Sequence, residues 1–423
     1  MRHAARFACA IALAPSLAAQ AAPQDSTIAI GTRHTLSSRI LGEDRPYLVY
    51  QPAGPAGVRR PVLVLLDGDG HFHHTTGVVQ FLADQGRMPP AYVVAVPNTA
   101  DRTHDLTPAT RDTGFATAGG ADRMAQFLTD ELLPEIERRY ATAPFRVLIG
   151  HSFGGLFAAN LWLTRPDAFQ AYISISPSLW WDRERLTDSL AARMARAAAP
   201  APWFYATMGG LEPADRMVAP FRRAEQVVRD GAPTMASVRF VLLPDDDHGS
   251  TPHRSTYDGL EAIFRQYRVP LDSFVALGIA GIDRRYGEVK ARYGIPDGTP
   301  EVALNILGYQ LLGDSAMARR TQALDVFRTN VRRFPRSANP YDSLGDAYRA
   351  LGQGEAALAC FAAAVHTAQA HPREGTVVPS ETIAPVSQGK MDEVARELGR
   401  TAWDPAAIPP AVVDQCLAGG AAR

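Results

Sequence analysis

The chain has 423 residues, of which 46% are hydrophobic and 21% are charged, a composition typical of a soluble globular protein with room for two domains. Its formal net charge of −1 gives no electrostatic support for binding to nucleic acid or to an anionic membrane surface. No stretch of the sequence is long and apolar enough to predict a transmembrane helix.

The N-terminus has the pattern of a secretory signal. Arg2 and Arg6 precede an apolar run over residues 7–13, and Ala19-Gln20-Ala21 offers a small-x-small cleavage site. We therefore expect residues 1–21 to be removed and the mature protein to be periplasmic or secreted, without membrane association after cleavage.

The first half of the chain alternates between strand and helix patterns. Residues 34–52 show the alternation of two antiparallel strands, and residues 121–140 repeat their apolar side chains at helical spacing. Strands that alternate with helices predict an α/β fold with a mostly parallel sheet and a site at the carboxyl ends of its strands. Six later apolar runs have the character of buried strands: residues 61–66, 91–96, 145–149, 171–175, 203–208 and 238–243.

The second half has a helical repeat. Ala323 and Phe327 recur as Ala357 and Phe361, a spacing of 34 residues that is typical of tetratricopeptide (TPR) helix pairs. Two such units are fewer than a free-standing solenoid needs, so we expect them to pack on the first domain or on a further helix pair. The predicted organisation is a signal peptide (1–21), an α/β domain (28–268), a helical connector (269–300), a smaller all-α TPR-like region (301–372), and an Ala/Pro-rich tail (373–423) with one helix near 389–399 and a loose end.

Two cysteines remain after the signal segment. Cys360 and Cys416 could pair in an oxidising compartment, but the first lies in a predicted helix and the second in the tail. We favour a buried, unpaired Cys360.

The site prediction starts from Gly150-His151-Ser152-Phe153-Gly154, where a predicted strand runs into a predicted helix. This G-x-S-x-G pattern is typical of a nucleophile elbow, in which the serine occupies a sharp turn that leaves no room for Cβ atoms two positions before and after it. Ser152 is therefore the candidate nucleophile. The residue after it, Phe153, would donate one backbone N–H to an oxyanion.

We look for the base and the acid after the last two predicted strands. In a hydrolase with a nucleophile elbow, the catalytic residues follow each other along the chain in the order serine, acid, histidine. His248 follows the last strand and is the candidate base, with His253 as its rival. Glu212 follows the preceding strand and is the first candidate acid; Asp215 and Asp182 are the second and third. The acidic run 245–247 reads as a solvated loop.

The second oxyanion donor should come from the loop after the first strand of the parallel set. There the backbone N–H of Gly68 or of Asp69 is the candidate, and the sequence does not separate the two. Nearby, His71, His73 and His74 suggest a metal site, but a short run of histidines without distant carboxylates seldom closes a coordination sphere. We predict no metal and no other cofactor.

The chain resembles the putative-esterase family of α/β-hydrolases, which includes siderophore esterases of the enterochelin type, S-formylglutathione hydrolases, carbohydrate esterases and mycolyltransferases. The resemblance spans about residues 28–268 and implies an α/β-hydrolase fold, Ser152 and His248 as catalytic residues, and Glu212 in support. It rests on five stretches: residues 66–69, 101–108, 150–155, 176–181 and 247–252.

The resemblance also nominates residues at the mouth of the site. Arg102 and Asp105 would line it or lock its loop, and a structural salt bridge is the alternative. Trp180 and Trp181 could stack on an aromatic acyl group or simply pack in the core.

The leading hypothesis is a secreted or periplasmic serine esterase for a small-molecule ester, of siderophore type or another aromatic ester. A carbohydrate esterase or an acyltransferase is the alternative within enzymes. A protein of another class, which binds a peptide or protein partner through its TPR-like region on a hydrolase scaffold, is the remaining hypothesis.

Overall fold

The computed structural model describes residues 28–54, 57–194, 202–231, 237–295, 298–375 and 379–419. The predicted signal segment, residues 1–21, lies outside the described residues.

An eight-stranded sheet forms the first body of the protein, with the strand order β1-β2-β4-β3-β5-β6-β7-β8. The first two strands pair antiparallel with each other, β2 is antiparallel to β4, and the remaining strands are parallel. The strands are β1 (Thr32–Ser38), β2 (Glu43–Tyr50), β3 (Arg60–Leu65), β4 (Tyr92–Ala95), β5 (Thr142–His151), β6 (Ala171–Ile175), β7 (Trp203–Gly209) and β8 (Val238–Leu243). The apolar runs thus become adjacent strands, and the α/β fold class predicted from the sequence is confirmed.

Helices cover both faces of this sheet and bury its side chains in two separate apolar cores. The interior strands read as continuous apolar runs because both of their faces are covered, and every residue of β3 is buried. The helices of this body are α1 (Gly68–Asp84), α2 (Arg102–Leu106), α3 (Ala121–Gln126), α4 (Leu133–Arg139), α5 (Phe153–Thr164), α6 (Trp181–Met194), α7 (Ala219–Gly231) and α8 (Thr251–Ile263).

One predicted helix differs in its backbone. The segment expected as a single helix over residues 121–140 consists of α3 and α4 joined by a π-helical stretch, Phe127–Leu132. Phe127, Leu128 and Leu132 of this π-helical stretch are all buried.

The second body is entirely helical and has its own apolar core. It comprises α9 (Phe274–Tyr293), α10 (Glu301–Leu312), α11 (Met317–Arg333), α12 (Ala338–Ala350), α13 (Gly354–Ala370), α14 (Ser380–Glu397) and α15 (Val412–Leu417). In two successive helix pairs a glycine of the first helix faces a phenylalanine of the second. A Cβ on Gly308 would lie 2.4 Å from the Phe327 ring, and one on Gly345 would lie 2.6 Å from the Phe361 ring. These are the two phenylalanines of the 34-residue spacing.

The C-terminal tail is packed where the sequence suggested a loose end. Helices α14 and α15 bury Met391, Val394 and Val412 completely against α13. This packing places Cys416 beside Cys360, and the two form a disulfide with Cα atoms 4.5 Å apart. The expectation of an unpaired Cys360 was therefore wrong, because it treated the tail as too distant to reach α13.

The helical body adjoins the sheet at the amino end of β5. Tyr293, at the end of α9, packs its ring 5.0 Å from both Phe145 and Phe264 and donates a hydrogen bond to the Ile263 carbonyl. Gly294 then approaches Pro144 so closely that a Cβ would lie 2.4 Å from its ring. These contacts lie at the opposite end of β5 from His151, so the helices do not cover the carboxyl ends of the strands through this junction.

Across the described ranges, no helix combines the length and the apolar character that crossing a membrane requires.

Candidate active site

Ser152 stands at a strained turn between β5 and α5. Its backbone has φ 61° and ψ −114°, a conformation that a residue with a side chain rarely adopts. The flanking glycines make the turn possible, since a Cβ on Gly150 would lie 2.2 Å from the Gly154 carbonyl oxygen, and one on Gly155 would lie 2.6 Å from the Ile175 carbonyl oxygen. The predicted elbow is therefore present in geometry as well as in sequence.

His248 and Glu212 meet across the ends of β7 and β8. The Nδ1 of His248 is 2.7 Å from Oε2 of Glu212. The other oxygen, Oε1, accepts hydrogen bonds from the Ser176 hydroxyl at 2.6 Å and from the Gly209 amide at 3.1 Å. The bonds to Oε1 thus hold the carboxylate so that Oε2 faces the imidazole.

The environment of Glu212 keeps it ionised. Its side chain is completely buried, and burial by itself would raise its pKa, but the hydrogen bonds from His248, Ser176 and Gly209 outweigh burial and lower the pKa below the ordinary value. His248 remains 43% exposed. An anionic acid behind a solvent-facing imidazole is the arrangement that stabilises an imidazolium during catalysis.

The other acids and the rival histidine lie elsewhere. Asp182 accepts hydrogen bonds from the Thr110 hydroxyl and the Arg111 amide. Asp215 is exposed, and His253 lies in α8 with its ring 5.6 Å from that of His74. Among the candidates, Glu212 is the acid that contacts His248.

Within the described residues, the Ser152 hydroxyl and the His248 imidazole do not form a hydrogen bond with each other. Neither the Ser152 hydroxyl nor Nε2 of His248 makes a hydrogen bond to another group in the part of the chain that the structure describes. His151, which precedes Ser152, has its ring centre 4.4 Å from that of His248, with the two ring planes tilted by 41°. Hydrogen bonds of this kind are often long until a substrate binds.

The two candidate donors at the start of α1 are distinguishable in the structure. The amide of Gly68 donates to the Val96 carbonyl at 2.9 Å and is already satisfied. Within the described residues, the amides of Asp69 and Phe153 have no hydrogen-bond partner, as expected at the first turns of α1 and α5. The geometry thus favours Asp69 over Gly68 as the partner of Phe153.

Arg102 joins the loop of Asp69 to the elbow. Its guanidinium contacts both carboxylate oxygens of Asp67, at 2.5 and 3.0 Å, and donates to the His151 carbonyl at 3.0 Å. Asn98 adds a third bond to Asp67 at 2.7 Å. Since Asp67 itself has a left-handed backbone (φ 55°), these bonds hold the loop in a conformation it would otherwise avoid.

Asp105, a proposed mouth residue, lies inside the protein. It is 6% exposed, and its carboxylate contacts the Arg45 guanidinium at 2.7 Å and the Thr99 hydroxyl at 3.0 Å. Arg45 is itself 2% exposed. Asp105 thus forms a structural salt bridge with Arg45, which was the alternative to a substrate contact.

Aromatic side chains surround Phe153. Trp181 is buried and donates from Nε1 to the Pro108 carbonyl at 3.1 Å, whereas Trp180 is half-buried. Ring centroids within this aromatic cluster, defined as Phe115, Phe153, Trp180 and Trp181, are 4.7–6.4 Å apart. Trp181 is thus a core residue of the cluster, and Trp180 is the tryptophan that a bound molecule can reach.

A row of histidines leads from His248 into the protein, and no spacing in the sequence predicts it. The ring of His151 lies 5.4 Å from that of His71, and Nδ1 of His71 lies 3.0 Å from Nε2 of His74. Nε2 of His151 and Nδ1 of His74 are buried and have no hydrogen-bond partner in the described part of the chain. We call His248, His151, His71, His74 and His253 the histidine row.

Burial disfavours the charged form of two members of this row, His151 and His74. It lowers the pKa of His151 to about 3, with the neighbouring His248 and His71 acting in the same direction, and lowers the pKa of His74 to about 4. Both imidazoles are neutral at pH 7. No group of three or more His, Cys, Asp or Glu side chains that could hold a metal ion occurs among the described residues.

Comparison with protein families matches residues 38–257 to the model described as putative esterase. Among curated proteins, the ferri-bacillibactin esterase BesA of Bacillus subtilis is 35% identical over 175 residues, which cover 35% of this chain. The chain spans 58% of that relative's length.

Two solved structures are similar to this chain over a larger part of its length. The IroE-like serine hydrolase of Shewanella oneidensis is 25% identical with a TM-score of 0.58, and the match covers 70% of this chain and 98% of that one. An uncharacterised protein of Capnocytophaga ochracea, 16% identical with a TM-score of 0.54, shares the fold over 86% of this chain and 99% of its own.

Proposed function

Since the chain belongs to the putative esterase family, we propose that it hydrolyses carboxylic esters as a serine esterase, with Ser152 as nucleophile, His248 as base and Glu212 as the acid that orients it. The observation that supports this most is the 2.7 Å contact between His248 and the buried Glu212, beside a serine held at φ 61°.

In the proposed reaction His248 removes the proton of Ser152 as its oxygen attacks the ester carbonyl. The amides of Asp69 and Phe153 then stabilise the oxyanion, and the loss of one such donor typically costs about 2.7–4 kcal/mol of transition-state stabilisation. His248 protonates the departing alcohol, and water releases the acyl-enzyme by the same steps in reverse. Glu212 stabilises the imidazolium in both halves because its carboxylate stays ionised.

The proposed substrate is an aromatic ester of siderophore type. The name of the Bacillus relative, a ferri-bacillibactin esterase, supports this class. So does the half-buried Trp180 beside Phe153, which offers an aromatic surface one residue from the nucleophile.

The proposed location is outside the cytoplasm. The disulfide between Cys360 and Cys416 fits an oxidising compartment, as does the leader-like sequence of residues 1–21. The helix pairs of residues 301–372 are proposed as TPR-like units, since both place a glycine against the repeated phenylalanine. A protein contact made there leaves the active-site end of the sheet free.

The test is labelling of the purified protein with a fluorophosphonate probe, followed by hydrolysis of p-nitrophenyl butyrate. Ser152→Ala should abolish labelling, and His248→Ala should lower its rate steeply because the nucleophile loses its base. Glu212→Gln should lower turnover while leaving the serine in place.

Matched controls come from the same protein. Ser189→Ala on α6 and His73→Ala on α1 remove exposed residues of the same types and should leave labelling unchanged. Labelling that persists in Ser152→Ala, or a folded wild type that neither labels nor hydrolyses the ester, would contradict the proposal.

A further inference from the structure

Arg216 is a cation at the edge of the aromatic cluster that has no counter-ion among the described residues. Its guanidinium carbon lies 4.0 Å from the centre of the Trp180 ring, well within cation–π range. Arg216 is exposed and makes no ion pair within the described residues, even with its exposed neighbour Asp215. In contrast, Arg222 and Arg223, in the following helix, pair with Glu225 and Glu184.

A second arginine that contacts the cluster, Arg102, is already neutralised. Arg102 lies over the Phe153 ring at 5.6 Å, but its charge is balanced by the bidentate contact with Asp67. Arg216 is therefore the cation of this cluster that is available to a bound anion.

The segment that presents Trp180 is rigidly supported. Directly after Trp181, Asp182 through Glu184 have left-handed backbones with φ between 47° and 66°. Such a run of non-glycine residues persists only where surrounding contacts enforce it. Here Asp182 accepts from Thr110 at 3.0 Å, and Glu184 accepts from Nε of Arg223 at 2.7 Å. Contacts within the protein thus hold the backbone that directly follows Trp180 and Trp181.

The two sides of Ser152 differ in what they offer. His248 contacts the ring of His151, the residue before the nucleophile, whereas Trp180 adjoins Phe153, the residue after it. A leaving alcohol must lie near the base in order to receive its proton. The acyl part of the ester then extends toward Phe153, Trp180 and Arg216.

We propose that Arg216 and Trp180 form a subsite for a negatively charged group, such as a carboxylate or a phenolate, on the acyl part of the substrate. This inference rests on the proposed esterase function and specifies that the acyl group of the substrate carries a negative charge. A guanidinium suits this role because it donates several hydrogen bonds in a planar array, and Trp180 restricts its motion.

The test compares two p-nitrophenyl esters of equal acyl length, the neutral butyrate and the anionic hemisuccinate, after subtraction of spontaneous hydrolysis. Arg216→Gln should lower kcat/KM for the hemisuccinate about tenfold relative to the butyrate, as expected for the loss of a hydrogen-bonded charge contact. Arg222→Gln changes the net charge equally but lies outside the cluster, and should leave the ratio of the two kcat/KM values unchanged. In the wild type, added NaCl should reduce the preference for the hemisuccinate, since the contact is exposed.

A ratio that is the same in wild type and Arg216→Gln would overturn the subsite, as would an equal change in Arg222→Gln. Either result can be read while both esters are still hydrolysed and Ser152 still labels with fluorophosphonate, so it is distinct from a failure of the esterase assignment itself.

Discussion

Acid should destabilise the hydrolase body more than its carboxylates alone would, because two histidines of the histidine row cannot accept protons while it is folded. Burial lowers the pKa of His151 to about 3 and that of His74 to about 4, from an ordinary value of 6.5. Of the charged groups nearby, Asp67 opposes the shift at His151 and Arg102 adds to it.

The direction follows from where the protons bind. The folded pKa values are depressed, so the unfolded chain takes up protons first as the pH falls below about 6.5, and stability is lost progressively until the pH reaches the folded values. At pH 5 each of the two sites binds about one more proton in the unfolded state. Each therefore lowers the free energy of unfolding by about 2 kcal/mol relative to pH 7, or about 4 kcal/mol for both.

The assay is urea unfolding at pH 7, 6 and 5, followed by tryptophan fluorescence. Four of the five tryptophans (Trp162, Trp180, Trp181 and Trp203) lie in the hydrolase body, so the signal reports mainly on that part. The double variant His74→Gln, His151→Gln lacks both groups and should lose about 4 kcal/mol less than the wild type between pH 7 and pH 5. His73→Gln removes an exposed histidine and should follow the wild type.

Parallel pH profiles for the wild type and the double variant would refute the reasoning. They would mean that His151 and His74 are protonated in the folded protein, through water or through movement of the row. The comparison uses differences between pH values, so a constant destabilisation of the variant by altered packing does not affect it.

Two further predictions concern covalent and ionic constraints. Replacing Cys360 and Cys416 by serine should lower the free energy of unfolding of the helical body by about 4 kcal/mol, because the disulfide closes a loop with a sequence separation of 56 residues. Thermal unfolding with and without reductant measures this effect. A wild type whose melting temperature does not respond to reductant would contradict the prediction. Arg102→Ala should lower kcat by about tenfold to a hundredfold, since it frees the Asp67 loop from the elbow, and should also lower the melting temperature, because the buried Asp67 carboxylate loses its cation. An unchanged kcat would show that the loop keeps its conformation without Arg102.

Much of the fold was readable because buried parallel strands have to be apolar along their whole length. Residues 61–66 and 171–175 stand out for this reason, and each became a strand of the sheet. The candidate site was readable for a related reason. In this topology the carboxyl ends of β5, β7 and β8 lie along the same edge of the sheet, with β6 between β5 and β7, so the positions of Ser152, Glu212 and His248 after these strands indicate that they share this edge.

What escaped sequence reasoning depends on contacts between distant segments. The histidine row combines α1, the elbow and α8, and no spacing in the sequence relates these parts. The stacking of Arg216 on Trp180 likewise joins the ends of different strands. The tail was misjudged because its alanines and prolines suggest a loop, whereas α13 presents a face of small residues against which α14 and α15 can pack closely.

The placement of the junction near Pro144 and Phe145 determines how this protein can be attached to something else. From Phe145 to His151 the strand advances six residues, about 20 Å at the usual rise per residue. A surface, a bead or a fused domain joined at this junction would therefore hold the molecule at the end of β5 opposite the active site and leave the active site facing the solution. Immobilised in that orientation, the protein should turn over substrate as fast as it does when free.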